Sequence, residues 1–337
     1  MAKLEVIGFD IGKEHFQVHG VDRVGAIVLR RKLRRSQVAE FFQLTEPCLV
    51  GLEAGGTSIY WARLLSSMGH TVKLMPAQYV KAYIKLNKND ANDAEAICEA
   101  VQRPSMRFVP IKSEVQQALQ ILHRARELLM RQRTMLINSL RGHLAEFGVI
   151  APRGAAGAAM TLKSVDEISK ASLPETARAA LAIMVQQVRA LSTAIDDCDE
   201  RMRHWHENNA LSQLLATTPG IGPLAATALF AAVGDGKGFH SGRELAAWIG
   251  LVPRQFSTGG KQTLGHITKR GNSYLRRLLY LGAQNVMISS KKGPLVAWIG
   301  RLRSRRPFRV AAIALANKLA RIAWAVLTSG IAYQRAL

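Results

Sequence analysis

Apolar and polar positions along the first hundred residues follow two rhythms. Leu4–Asp10 (LEVIGFD) is a short apolar run that ends at an acid. His15–Val21 and Ala26–Leu29 are two further β-prone runs joined by short turns, and Cys48–Glu53 (CLVGLE) again stops at an acid. Runs of this length between turn residues predict strands. Helical spacing takes over at Ser36–Leu44, Ser58–Met68 and Ala77–Lys85, with a strand at Thr71–Met75, and returns from Asp90 to about Gln102. Three strands in succession, then alternating helix and strand, predict a mixed α/β sheet.

A longer period follows. Ser113–Phe147 predicts a long helix with Leu122, Leu129 and Leu136 seven apart, its companion seam interrupted by Arg126 and Arg133. Residues 148–160 read as a Gly/Ala loop. Across Pro174–Trp205, Leu181, Met184, Val188, Leu191, Ile195, Cys198, Met202 and Trp205 alternate three and four apart, a coiled-coil pattern. The two helices predict an antiparallel arm that buries a stripe against a partner chain, hence a homo-oligomer, dimer or tetramer. His204 and His206, two apart at its end, do not share a helix face and read as surface residues.

Beyond the arm, Leu211–Gly234 reads as a helix, a PGIG turn carrying Gly220 and Gly222, and an Ala-rich helix. This pattern fits a helix-hairpin-helix, whose glycine turn lets backbone amides approach a phosphate; an ordinary packing corner is the alternative. Ser241–Gly250 predicts a short helix with Trp248 in the core, and Asn272–Met287 one with Arg276 and Arg277 beside Leu275, Leu278 and Leu279. Val310–Tyr333 is the most apolar late segment, but Lys318 and Arg321 within it indicate a buried helix rather than a membrane span. The chain thus divides into residues 1–105, 106–209 and 210–337.

Charge narrows the function. Residues 211–337 carry 18 Lys and Arg against two acids, so +16 of the net +22 lies there. A surplus that local is a footprint for a polyanion. A membrane surface fits less well, because no helix pairs a dense cationic face with a Trp/Phe face. The Arg301, Arg303, Arg305, Arg306 and Arg309 run points to the same nucleic-acid partner. The three cysteines, Cys48, Cys98 and Cys198, show neither metal nor disulfide spacing. With a strand-like run at the N-terminus in place of a signal peptide, this predicts a reducing cytoplasm.

Two stretches carry candidate chemistry. In Lys88–Glu95 (KNDANDAE), Asp90 and Asp93 sit three apart in a helix's first turn and point the same way. The bland reading is a pair of solvating acids favoured by the helix dipole. Asp10 and Glu53, each in or after an apolar strand, change the odds, since buried carboxylates are costly unless paired or metal-bound. Four acids in one cluster would suit Mg²⁺ or Mn²⁺. The second stretch, Gly250–Gly271 (GLVPRQFSTGGKQTLGHITKRG), combines hydroxyls, a glycine pair and cations. It lacks the spacing of a nucleotide phosphate loop. Two readings stay open: a flexible DNA-contacting loop, or a Ser257 nucleophile on a mobile loop with Lys261, Arg254 or Lys269 stabilising a phosphorane.

VIGFDIGKEHF, LEAGGTSIYW, KNDANDAEAI, PRQFSTGGK and TKRGNSYLRRLLY resemble the DEDD transposases of bacterial insertion sequences. These form the insertion-sequence one-ten family with its eleven-eleven branch, related to the Piv invertase. The resemblance covers essentially the whole chain. It implies a RuvC-like, ribonuclease-H-type domain whose metal-binding acids are Asp10, Glu53, Asp90 and Asp93. It also implies a C-terminal transposase domain whose serine, here Ser257 with Thr258 one position away, becomes covalently linked to DNA. Gly220, Gly222, Arg254, Lys261, Lys269, Arg270, Arg276 and Arg277 are the candidate nucleic-acid contacts. The implied partners are donor and target DNA and a bridge RNA, in a bacterial cytoplasm at the nucleoid. A hydrolytic junction nuclease and a non-catalytic basic packaging protein are the competing functions.

Overall fold

The computed structural model describes residues 3–84, 90–152, 154–168, 173–289 and 293–334. They form two compact units, Met1–Ser113 and Glu114–Leu337.

The first unit is built on a five-stranded sheet in the order β3-β2-β1-β4-β5. Strands β1 (Val6–Ile11), β2 (His15–Val21) and β3 (Ile27–Arg34) form an antiparallel meander. Strands β4 (Leu49–Glu53) and β5 (Thr71–Met75) continue parallel from β1. Alternation along β1 sorts its side chains between two faces. Ile7 and Phe9 join Phe16 and Val18 against α1 (Val38–Leu44) and α2 (Ser58–Ser67), where Phe42, Trp61 and Leu65 close an aromatic core. Val6 and Gly8 face the other way, beneath α4 (Asp90–Val101). The short α3 (Ala77–Val80) and a 3₁₀ turn at Lys81–Tyr83 lead towards it; Lys85 lies outside the described residues. β3 runs five residues past the expected Leu29, because its exposed Arg30, Arg31, Lys32 and Arg34 carry no apolar signal. Cations on an edge strand also discourage pairing with other chains.

Among its described residues the second unit is helical apart from one hairpin and connecting turns. Helices α5 (Glu114–Ala145) and α7 (Glu175–Glu207) lie antiparallel: Arg126 Nη2 meets Asp199 Oδ2 at 2.9 Å, and a turn or two on, Arg133 Nη1 meets Ser192 Oγ at 3.4 Å. Leu140, Leu144, Leu181, Val185 and Val188 are buried between them. The loop expected at 148–160 is a helix from its middle onward, α6 (Gly154–Ile168). Gly154 and Gly157 suggest a loop, but the alanines beside them are the strongest helix formers, so the segment has its own propensity for a helix. His206, expected at the surface, is half-buried with Nδ1 2.7 Å from Ser212 Oγ.

Short helices α8 (Ala210–Ala216) and α9 (Pro223–Val233) bracket the PGIG turn, and α10 (Gly242–Ile249) follows. Gln116 and Gln120 of α5 donate to Phe230 O and Ala231 O at 3.2 and 2.9 Å. These bonds satisfy carbonyls at the end of α9 and join the long helices to the basic region. Helices α11 (Ser273–Ser289), α12 (Pro294–Arg303) and α13 (Phe308–Ser329) complete the core, with Leu315, Ala316, Leu319, Ala320 and Ala323 fully buried. By length and composition α13 could cross a membrane, but half of its most apolar window is buried inside the unit. Trp248, expected in the core, is 38% exposed and packs edge-on against Phe239.

Between α10 and α11 the chain forms a two-stranded antiparallel hairpin, β6 (Pro253–Thr258) and β7 (Lys261–Ile267). This replaces the expected loop. Thr258 pairs with Lys261, and the intervening Gly259 and Gly260 have φ of +55° and +80°. Two positive-φ residues in a two-residue connection are the requirement of a type I′ turn, which glycine meets without strain.

Candidate active site

In β1 and β4 the same five-position pattern recurs: VIGFD and LVGLE, a glycine two residues before an acid. Register puts the two side by side. Gly8 pairs with Gly51 and Phe9 with Leu52, so the next step along these strands brings Asp10 beside Glu53. Each acid shares a face with its glycine, and that face carries α4. A methyl group at Gly8 would collide with Ala94 O and Cys98 N, and one at Gly51 would lie 2.8 Å from Val101 Cβ. The helix therefore sits on bare backbone.

The direction of α4 follows from the same contacts. Cys98 Sγ reaches Val6 O at 3.9 Å, while Ala94 lies over Gly8. Moving towards the helix N-terminus is thus moving towards Asp10. Asp93 comes next, with Oδ1 buried and lacking a hydrogen-bond partner. Glu95, on the outer side, pairs with Arg30 of β3 at 3.2 Å. Asp90 opens the helix, but its side chain lies outside the described residues, as do Lys88 and Asn89. Among the described residues no three His, Cys, Asp or Glu side chains form a preformed metal centre. The donors are nonetheless all carboxylate oxygens, with one buried and unpaired, which fits a hard divalent cation. The glycine notches were missed in sequence, although a glycine inside a strand signals close backbone approach.

Ser257 lies in the second unit on the exposed hairpin, opposite Gln262. Gln255 Nε2 donates to Ser257 Oγ at 2.9 Å. Alternation places Gln255, Ser257, Gln262 and Leu264 on one face, and Phe256, Thr258, Lys261 and Thr263 on the other. Lys261 consequently accompanies Thr258, not Ser257. Arg254 Nη2 approaches Thr268 O at 3.5 Å.

The remaining candidate contacts divide by what they touch. Gly220, with φ +85°, packs against Gly282 of α11, whereas Gly222 stands open at the start of α9. Lys269 has a left-handed backbone, φ +53°, and Arg270 is exposed beside it. Arg276 Nη1 donates to Ile249 O at 2.8 Å and Arg270 O at 3.1 Å, strapping the hairpin base to α10. Arg277 pairs with Glu127 at 2.9 Å and lies over Tyr274. Burial pushes the Cys48 and Cys98 thiols up to about 11, which leaves them poor nucleophiles.

Comparison with known proteins matches both stretches. A family model of IS110-type DEDD transposases covers residues 7–148, and one of the transposase IS116/IS110/IS902 family covers 212–296. The chain is 48% identical to a probable family 20 transposase of Pseudomonas aeruginosa, over 98% of this chain and 99% of that protein. It is 40% identical to the transposase for insertion sequence element IS1328 of Yersinia enterocolitica, over 99% of this chain and all of the relative. With the transposase for element IS1111A of Coxiella burnetii it shares 39% identity, over 99% of this chain and 92% of that one.

Proposed function

The chain belongs to the IS110-type family of insertion-sequence transposases, enzymes that recombine DNA, and from that premise we propose how its residues do so. Asp10, Glu53, Asp90 and Asp93 hold Mg²⁺ or Mn²⁺. The observation that carries this reading is the buried, unpaired Oδ1 of Asp93 at the helix end directed towards Asp10 and Glu53. An unpaired buried polar atom costs about 1–3 kcal/mol, more when charged, and a cation offsets both that cost and the mutual repulsion of the acids. Such an ion, when bound, supplies Lewis-acid neutralisation of charge on phosphoryl oxygens. The strand order β3-β2-β1-β4-β5 supports a ribonuclease-H-type reading of this domain.

Ser257 is the nucleophile. Its Oγ attacks the phosphorus of a DNA phosphodiester, a P–O bond to a deoxyribose oxygen breaks, and the serine proton passes to solvent as the leaving oxygen gains one. The resulting phosphoserine ester keeps the bond energy until the hydroxyl of another strand attacks it and restores Ser257. The bond donated by Gln255 supports this assignment, since it stabilises a developing alkoxide. A bridge RNA pairs with donor and target DNA, so base pairing reads sequence while the protein holds backbone. The excess of +16 in residues 211–337 suits that role, as does a helix-hairpin-helix contact from Gly222. The α5–α7 pair serves as a coiled-coil arm. Exposed Ile121, Leu128 and Met135, seven apart on its outer side, favour pairing with a second copy in a dimer or tetramer. The enzyme works in the cytoplasm, at the nucleoid.

The test is trapping of covalent protein–DNA adducts. Ser257→Ala abolishes adducts and strand exchange while DNA binding persists. Continued cutting by that variant would mean that water is the nucleophile, as in a junction nuclease. Unchanged transposition by Asp93→Asn would leave only a packaging role.

A further inference from the structure

The hairpin carries an aromatic side chain that the mechanism above does not use. Phe256 is 60% exposed although it neighbours Ser257 in the strand. It lies on the opposite face, with Thr258, Lys261 and Thr263. Diagonally across the ladder, two residues beyond its partner Thr263, is Gly265, where a side chain would start 3.2 Å from the Phe256 ring. The ring thus rests on backbone, and its outer side is open. Leu264, 66% exposed, stands on the Ser257 face. An isolated hairpin with large apolar groups on both faces gains little stability from them. Each face is suited to contact something else.

The chemistry of the Phe256 face selects its occupant. It combines an open aromatic ring with Lys261 opposite Thr258 and Arg254 at the base, and no acid follows Glu244 in the chain. Aromatic rings that accept a stacked base, flanked by cations that follow the backbone, are how proteins hold single-stranded nucleic acid. Two cations and one ring on a narrow ribbon fall short of the broad apolar face and dense cationic face that a lipid surface takes.

We propose that Phe256 stacks on an unpaired base of the DNA strand next to the phosphate attacked by Ser257, with Lys261 and Arg254 on the adjoining phosphates. The hairpin then works as a divider, presenting the hydroxyl on one side and gripping the strand on the other. Phe256 is a positioning residue. The assignment rests on the Ser257 reading for its place in the reaction, but stacking itself does not depend on which group attacks.

The test uses the full chain and a 5-iodouracil-substituted oligodeoxythymidylate of about 20 nucleotides, long enough to span one such site. Irradiation should cross-link the hairpin peptide at Phe256, as mapped by mass spectrometry. Phe256→Ala should weaken binding by about 5- to 140-fold, the range for loss of one stacked base. Phe256→Tyr should restore it, while Leu264→Ala and Ser257→Ala bind like the parent. Lys261→Ala should lower the salt dependence of binding by about one unit, and Phe256→Ala should leave that slope unchanged. Cross-links confined to other segments, equal loss in Phe256→Tyr, or a loss seen only with oligouridylate would overturn the assignment to DNA stacking. If instead Ser257→Ala still forms adducts while Phe256→Ala loses binding, the serine reading fails and the stacking assignment stands.

Discussion

Gly8 and Gly51 are register partners on adjacent parallel strands, and α4 rests on both. Neither residue has any chemistry to offer a phosphate. What they supply is distance. With no Cβ at either position the helix settles onto the sheet, and its first turn is held beside the strand ends that carry Asp10 and Glu53. The absence of two side chains lets the start of α4, with Asp93, approach those strand ends.

Replacing Gly8 should therefore damage catalysis through geometry. In Gly8→Ala the new methyl meets backbone, Ala94 O and Cys98 N, which cannot rotate away. In Gly51→Ala the nearest atom is Val101 Cβ at 2.8 Å, a branch point that no side-chain rotation moves, though no backbone atom is among its nearest contacts. Overpacking costs about 1–3 kcal/mol, and we expect Gly8→Ala at or above the top of that range and Gly51→Ala within it. Urea unfolding of both variants measures the difference. Equal small losses in the two would show that α4 is not seated as described.

That pair of glycines also marks where the sequence was legible and where it was not. The strands and the acids that end them were readable because apolar runs of four to six residues with a terminal carboxylate are uncommon. β2 and β5 fall at the expected bounds, His15–Val21 and Thr71–Met75. The long α7 was readable from its three–four spacing, which packing against α5 preserves. The hairpin was less legible, because its strands carry few apolar residues and face solvent, leaving the Gly-Gly pair between them as the one local signal. Helix α6 was hidden by the glycines among its alanines, and the exposure of Trp248 by its large apolar ring, which by itself signals burial. How closely strand-end acids and a helix N-terminus approach depends on register and helix direction, which a linear pattern does not encode.

Asp93 makes a second prediction. Its buried Oδ1 has no partner, so a neutral amide is easier to bury there than a carboxylate. Without divalent ions, Asp93→Asn should be at least as stable as the parent. Adding Mn²⁺ should stabilise the parent, by about 2.7 kcal/mol at a hundredfold excess over its dissociation constant, and leave the variant unmoved. Thermal melts with and without the ion suffice, and an equal upward shift in Asp93→Asn would remove this residue from the metal site.

The turn of the hairpin gives a third. Gly259 and Gly260 both hold left-handed backbones, which cost other L-residues roughly 1 kcal/mol or more. Gly260→Val should loosen the hairpin locally, raising hydrogen exchange in β6 and β7 and lowering adduct yield. Global stability should change by less than about 0.5 kcal/mol, since the strands are exposed and packed on little else. Gly259→Asn should be tolerated, because Asn-Gly is itself a favoured type I′ pair. An adduct yield unaffected by Gly260→Val would mean the hairpin's shape does not matter for the reaction.

The fourth concerns His123, buried where α5, α7 and α11 meet. Its Nδ1 lies 3.0 Å from the Tyr274 hydroxyl, and its Nε2 is buried without a partner. Burial foremost, then the nearby Arg126 guanidinium, lowers its pKa to about 4, with Asp199 opposing. The unfolded chain would titrate near 6.5. Between those values the unfolded state binds the extra proton, so stability rises with pH across that window. The contribution is present in full above about pH 6.5, fades as pH falls towards 4, and does not change further below it; its ceiling is roughly 3 kcal/mol. His123→Gln, which cannot titrate, should flatten the pH dependence of the urea midpoint between about pH 4 and 6.5, even if it lowers stability at neutral pH. A parent protein whose midpoint is already flat across that range would place the imidazole in contact with water and remove His123 as the source of the slope.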